Sequence, residues 1–444
     1  MDRRAFLAFS GAGLAALSMK AALPASLLSA PGDDFLEDLQ RRCFRYFLEH
    51  TDPNTGLTLD RACFNGGPYT LDERPTANIT VTGFGLAAFC IAAERGWISR
   101  AEAAERVRSA LRFFARRAPH ERGWFYHWIH LVRGTRAAAF STRGELSEVS
   151  TVDSAFLLAG VLTARQYFGS DEEIAALAGE IYGRVDFPWM LKPTAPNFCH
   201  GWTPEGGFLP YGWTAYSEAS VLYLLGIGSP THPVPASSWY AWARAPNLYD
   251  TYRFIGTAPL FIHQYSHAFV DFRGQRDSGG TGTDWFANSV AATRAHRKFC
   301  MDLNKTFPGY SSEMWGITCS MSAAGYLDWG GPPLDPRTDG TVVPAAAGGS
   351  LMFAPDICLA VLRAMKDRFG ERIYGRYGFT DSFHPTNGWV SANVIGLNLG
   401  ITLLSIENLR SGNLWSWFMA NPEPKRAMEL AGFRPAVDAP TGTL

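Results

Sequence analysis

The sequence predicts an all-α protein in which an inner ring of buried helices sits inside an outer ring of amphipathic ones. Two stretches, Phe84-Gly-Leu-Ala-Ala-Phe-Cys-Ile-Ala-Ala93 and Ala155-Phe-Leu-Leu-Ala-Gly-Val-Leu162, are apolar nearly all round, which suits burial between layers of helix and not a surface position. Others, such as Arg100 to Arg117, carry charge on one face. Almost nowhere does the chain alternate apolar and polar residues at the period of two that a half-buried strand requires.

Taken in order, helical periodicity marks Phe35 to His50, Gly83 to Gly96, Ala101 to Arg117, Thr151 to Phe168, Glu172 to Val185, Glu218 to Gly226, Trp285 to Leu303, Met352 to Phe369, Val394 to Leu409 and Pro424 to Ala431. Ser147 or Ser150 can cap the fourth of these, and Asp153, three residues after Ser150, completes a capping pattern. Gly, Pro and aromatic loops separate the helices. Stretches such as Tyr326 to Pro336 are too short for linkers and contain rings, so they read as ordered loops. No break in composition divides the chain, and one domain over 31–444 is expected, with the long loops Cys199 to Ser217 and Ile262 to Thr283 at one rim of the ring.

The chain has 444 residues, 47% hydrophobic and 18% charged, with a formal net charge of −1, so it can bury a large core and lacks the basic surface that nucleic acid needs. Residues 1–30 read as a leader. Arg3-Arg4 before Phe6-Leu7, an apolar run from Gly11 to Met19 and the small residues to Ala25 have the layout of a twin-arginine export signal, and the run is short for a membrane anchor. A soluble, periplasmic or secreted monomer without stable membrane insertion is expected. The seven cysteines are odd in number and lack a Cys-x-x-Cys pair, so neither a zinc site nor a disulfide framework is indicated, and most are expected to be core thiols.

Candidate chemistry centres on Tyr211 to Pro233, where Glu218 lies among three aromatic rings directly before an apolar helix. An aromatic wall desolvates a carboxyl and raises its pKa, and the apolar faces of sugar rings stack on such walls. The alternative is a surface Glu favoured by the helix dipole. With 14 Trp and 14% aromatics, the chain has rings enough for a carbohydrate cleft, although large cores use them too. A second cluster joins Glu145, Glu148 and Asp153, where crowding pushes carboxyl pKa values up; for Asp153 a purely structural cap is the competing reading. A third runs from His263 to Asp277 and on to Asp284-Trp285. His263 and His267 lie four apart but lack a His-Glu-x-x-His pattern, so metal is not expected. Here His267, Asp271 and Arg273 could hydrogen-bond sugar hydroxyls, or Asp271 and Arg273 could simply staple a loop.

Ser150-Thr-Val-Asp-Ser-Ala155 with Leu162-Thr-Ala-Arg-Gln-Tyr-Phe168, Gly226-Ile-Gly-Ser-Pro-Thr-His-Pro233, His263 to Gly274, Trp315-Gly-Ile-Thr318 and Ser405-Ile-Glu-Asn-Leu-Arg-Ser-Gly412 form an ordered series. In that series the chain resembles the bacterial glycoamylase-like family from about Phe35 to Phe433. That family is similar to endo-β-1,2-glucanases and to the related domain of cyclic β-1,2-glucan synthases. The resemblance implies an (α/α)6 barrel and a hydrolase acting on oligo- or polysaccharide, endo-acting on β-1,2-glucan with inversion and without a cofactor. It puts the general acid at Glu218 and the second catalytic acid at Asp153; an inverting pair stands about 6.5–9.5 Å apart. Substrate contacts are expected from Glu148, Trp202, Trp213, Tyr216, His267, Asp271, Arg273, Asp284, Trp285 and Trp315. Two departures stand out: Asn398-Leu-Gly-Ile401 replaces an Asp-Gln-Gly-Pro of some relatives, and the loop after Trp315 lacks an Asp-Gly. A retaining transglycosylase and a non-catalytic glucan-binding protein remain as alternatives.

Overall fold

The structure, a computed structural model, describes residues 34–67, 75–138, 145–192, 196–279, 282–335 and 337–436. The export signal read over 1–30 lies outside the described residues. Thirteen α-helices are found among the described residues: α1 Asp34–His50, α2 Ile79–Glu94, α3 Arg100–Arg116, α4 Thr151–Tyr167, α5 Glu172–Gly183, α6 Ser220–Gly228, α7 Tyr265–Phe269, α8 Trp285–Asp302, α9 Pro344–Gly348, α10 Pro355–Phe369, α11 Gly396–Arg410, α12 Asn413–Met419 and α13 Pro422–Leu430. The ten segments read from periodicity correspond to ten of these. The other three, α7, α9 and α12, have five to seven residues and are too short to show a period.

Burial sorts the helices into two layers. In α2 every residue from Ile79 to Ala92 is buried, in α6 all nine are, and α7 and α9 are buried throughout. Nearly all of α4 and α11 is buried too, and Leu158 is fully enclosed. By contrast α3 buries one face, with Val107, Leu111 and Phe114 inside and its arginines outside, and α1, α5 and α10 behave alike. The inner helices pack as a ring, α2 on α4, α4 on α6, α6 on α7, α9 on α11 and α11 back on α2. Between α7 and α9 the link is Gln264, whose Nε2 donates to the Ala346 carbonyl at 2.9 Å. This is the (α/α)6 architecture the resemblance implies.

The tightest contact in the ring lies between α2 and α4. A Cβ on Gly160 would overlap the Gly83 carbonyl, and one on Gly83 would overlap the Phe156 carbonyl, so both positions require glycine for backbone to meet backbone. At the far end of the ring from the candidate site, Glu407 is fully buried and ion-paired to Arg95 at 2.6 Å, with Gln40 donating to it at 2.8 Å. Arg410 donates to Glu37 and Gln40, so α1 is tied to α11. Helices α12 and α13 then close over α4, α6 and α7.

Connections into the inner helices are long, 51–78, 117–150, 184–219, 303–343 and 370–395, whereas those leaving α2, α4, α9 and α11 are short. One rim therefore carries both the long loops and the N-termini of the inner helices. Short antiparallel pairs lace these loops together: Arg61–Cys63 with Asn393–Ile395, Thr76–Asn78 with Trp128–His130, and Val149–Ser150 with Gly201–Thr203. No described helix is long and apolar enough to cross a membrane. All seven cysteines are free, and six of them are buried.

Candidate active site

The rim is built from residues that open the inner helices. Asn78 caps α2, its side chain accepting from Thr80 and Val81 N–H, and Ser150 caps α4, accepting from the Asp153 N–H at 3.3 Å. The capping pattern read around Asp153 is therefore present, but the Asp153 carboxylate has other duties. Its Oδ1 accepts from Thr80 Oγ1 at 2.6 Å and its Oδ2 from Ser150 Oγ at 2.5 Å. His127 approaches Oδ1 through Nε2 at 3.5 Å. Both oxygens are thus acceptors, as in a carboxylate fixed in one orientation.

His127 is a rim residue that sequence reasoning missed. Its Nδ1 lies 3.1 Å from Glu148 Oε1, Nε2 faces Asp153 and Asn78, and the ring stacks on Trp128 at 4.3 Å. Burial alone would lower its pKa, but the charges of Asp153 and Glu148 and the hydrogen bond to Glu148 hold it up at about 9. Burial opposes ionisation of Glu148 as well, yet His127 holds its pKa below the ordinary value, the reverse of the rise expected from crowded acids. One atom from each of His127, Glu148 and Asp153 falls within 4.8 Å of the others, close enough to share a cation. The hydrogen bonding is that of an imidazolium between two carboxylates, in which a proton already fills that role. The sequence signal was a histidine inside Trp124-Phe-Tyr-His-Trp128, a run that reads as core until the strand pairing with Thr76–Asn78 is known.

Glu218 stands two residues ahead of α6, half-buried at the same rim, and its backbone carbonyl accepts from Ser266 Oγ. Burial raises its pKa to about 7; its own backbone hydrogen bond opposes this and the charge of Asp153 adds to it. A second carboxyl behaves similarly. Asp381 is buried beside the start of α11, accepts from the Met321 N–H at 2.6 Å and from Asn398 Nδ2 at 2.8 Å, and burial raises its pKa to about 6. Asn398, the departure noted in the sequence, thus hydrogen-bonds a carboxylate supplied from the preceding loop.

The remaining sequence candidates divide by exposure. Trp202 and Trp213 are half-buried beside α4; Trp213 stacks on His200 at 4.1 Å and donates from Nε1 to Thr151 Oγ1 at 3.0 Å. Tyr216, Trp285 and Trp315 are not open platforms. Tyr216 stacks flat on Trp285 at 4.9 Å, Trp285 Nε1 donates to Asp277, and Trp315 is fully enclosed, because core packing claims these rings. His267 is buried, hydrogen-bonded to Tyr216 and Ser289, and burial lowers its pKa to about 3, as it does for His263; neither is exposed to a ligand. Asp271 and Arg273 pair with each other at 2.8 Å, with Arg273 over the Trp415 ring, a contact that staples the loop. Asp284 caps α8 through the Ala287 N–H. Tyr211, one of the three rings read beside Glu218, is exposed, as are Phe208 and Tyr326, which the sequence did not single out; Tyr326 lies beneath Arg61 at 5.7 Å.

The inner-helix N-termini of this (α/α)6 barrel thus carry a protonatable carboxyl, Glu218, and a fixed carboxylate, Asp153, at one rim. The chain is similar to the glycoamylase-like family: the Glycoamylase family model matches residues 210–422. It is 26% identical over 430 residues to the exo β-1,2-glucooligosaccharide sophorohydrolase (non-reducing end) of Parabacteroides distasonis, covering 89% of this chain and 57% of that protein. The chain thus spans little more than half the length of that curated relative. Among solved structures, the endo-β-1,2-glucanase of Chitinophaga pinensis, in complex with sophorotriose and glucose, superposes with a TM-score of 0.82 at 26% identity, covering 91% of this chain and 99% of that one. A β-1,2-glucanase from Parabacteroides distasonis gives 0.80 at 26% identity, covering 91% and 60%. The endo-β-1,2-glucanase of Talaromyces funiculosus, at 14% identity and a TM-score of 0.62 over 89% and 87% of the two chains, shares the fold.

Proposed function

We propose that this protein is a glycoside hydrolase that cleaves β-1,2-glucan. The observation that carries the proposal is the pairing of two unlike carboxyls at one rim: Glu218, held protonated near neutral pH, and Asp153, clamped as an acceptor and electrostatically coupled to it. A protonated acid beside a carboxylate fixed as an acceptor supports a general acid and a general base. Glu218 protonates the leaving glycosidic oxygen, and Asp153 takes the proton of the attacking water, directly or through a sugar hydroxyl. His127 and Glu148 keep Asp153 oriented. Trp202, Trp213, Tyr211 and Tyr326 supply apolar faces for the sugar rings. The relatives named above, an exo-acting sophorohydrolase and endo-acting glucanases, support the linkage, and cleavage is proposed to be endo with inversion. The N-terminal twin arginine supports export to the periplasm or beyond, and the protein is proposed to work as a monomer.

The test is a panel of β-1,2-, β-1,3- and α-1,4-glucans assayed for new reducing ends, with product length by chromatography and anomer by NMR. Release of a ladder of oligosaccharides in the α-configuration from β-1,2-glucan alone is the expected result. Single disaccharides from one end would replace endo by exo action, β-products would replace inversion by retention, and no new reducing ends from any glucan would refute the hydrolase.

A further inference from the structure

Tyr265 opens α7 at the middle of the ring. Its aromatic ring is buried, packed edge-on to Phe84 at 5.4 Å and Phe156 at 5.6 Å and tilted against Phe261 at 4.9 Å. These neighbours come from α2, α4 and the turn before α7, so the ring plugs the barrel below the rim. The phenol is within electrostatic reach of Cys319, Glu218, Asp153 and Asp381, groups contributed by four different loops or helix starts. Both proposed catalytic carboxyls and Asp381 thus act on this one phenol.

The hydroxyl itself has no hydrogen-bond partner among the described residues, and it is not among the enclosed unpaired polar atoms, so solvent reaches it. The deeply buried tyrosines of this protein otherwise satisfy theirs: Tyr46 donates to Leu59 O, Tyr182 to Leu225 O, Tyr223 to Trp213 O, and Tyr310 to Thr341 O. A tyrosine whose ring is locked in the core while its hydroxyl is left open at the centre of an acidic rim is a pre-positioned donor awaiting an acceptor. We propose that the Tyr265 hydroxyl is a substrate-binding and catalytic group, donating a hydrogen bond to a hydroxyl of the sugar that is being cleaved and holding that ring between Glu218 and Asp153. Burial, with the surrounding negative charge, keeps the phenol protonated throughout the working pH range, so it serves as donor and not as base. The rigidity of its packing makes the bond one that orients the substrate without ordering a mobile side chain.

This inference rests on the functional proposal above, and one substitution tests it. Tyr265→Phe keeps the ring and its three aromatic contacts and removes only the hydroxyl. Since that hydroxyl bonds nothing in the protein, the melting temperature should be unchanged or higher, while turnover on the glucan that the parent cleaves should fall by about tenfold or more. A larger loss in kcat than gain in KM is expected if the bond tightens in the transition state. Turnover within twofold of the parent would overturn the proposal. If the parent cleaves no glucan, the hydrolase reading falls and Tyr265 is still read by titrating tryptophan fluorescence with β-1,2-glucooligosaccharide: weaker binding by Tyr265→Phe supports the contact, and equal affinity, or no binding by the parent, refutes it.

Discussion

Replacing Glu218 by Gln should make the protein more stable and nearly inactive, and the stability gain should itself depend on pH. An ordinary glutamate titrates near 4.5, whereas burial raises Glu218 to about 7. The folded state therefore binds this proton more tightly than the unfolded chain. Its stabilising effect is complete below about pH 4.5, where both states are protonated, and is lost as pH rises through 7. The gap between 4.5 and about 7 sets a ceiling of about 3.4 kcal/mol, and because the residue is only half-buried, solvent screening reduces this to roughly 1–2 kcal/mol. Gln has the shape of the protonated acid and no charge to desolvate. Denaturant melts of parent and Glu218→Gln at pH 5 and pH 8 should then differ little at pH 5 and by about 1–2 kcal/mol in favour of the variant at pH 8. Hydrolysis of natural glucan should drop at least about 100-fold, with aryl glycosides, where accepted, much less affected. A variant that keeps its turnover, or whose stability relative to the parent is the same at both pH values, would refute the assignment of a buried, protonated acid to this position.

Asp153→Asn leaves Ser150 as the cap of α4, so its stability should stay within about 1 kcal/mol of the parent while most activity disappears; retained activity would shift the base to another carboxyl. His127, with its pKa held at about 9, contributes stability that is complete below about 6.5 and lost as pH rises through 9; His127→Gln should abolish this alkaline loss in pH-dependent melts. Gly160→Ala would drive a methyl into the Gly83 backbone, which cannot turn aside, and is expected to cost about 2–3 kcal/mol by chemical denaturation, whereas the same change at exposed, open Gly179 should cost nothing measurable.

The layered helical fold was legible because burial on all sides leaves a direct mark on composition: α2 and α4 have no polar face to hide. The short helices α7 and α9 left no such mark, since their burial comes from the ring around them and not from a pattern within five residues. At the rim, Glu218 and Asp153 announced themselves as acids placed against apolar helices. The same logic failed for Trp285, Trp315 and Tyr216, because an aromatic ring next to polar residues in sequence can face either the cleft or the core, and only packing decides. It also failed for His127 and Asp381, which reach the rim through strand pairings and loops whose partners lie far away in the chain, Asn78 with Trp128 and Asp381 with Met321. Asp271 and Arg273 show the converse: neighbours of opposite charge found each other first.

The seam where α1 meets α11 has a consequence for how the chain reaches this state at all. The bonds that shut it, Gln40 to Glu407 and Glu37 to Arg410, join residues 367 and 373 positions apart, and Arg95 must travel 312 positions to neutralise the buried Glu407. During synthesis, α2 is complete when more than three hundred residues have still to emerge, and although α1, α3 and α4 cover parts of its mostly apolar surface, the flank that meets α11 stays open until α11 arrives. Such late, distant partners make for slow folding and for a prolonged period in which a sticky helix must be kept from other chains. A protein truncated anywhere before Arg410 is therefore not a smaller barrel but an open one, with its most hydrophobic wall exposed to whatever the cell offers as a substitute.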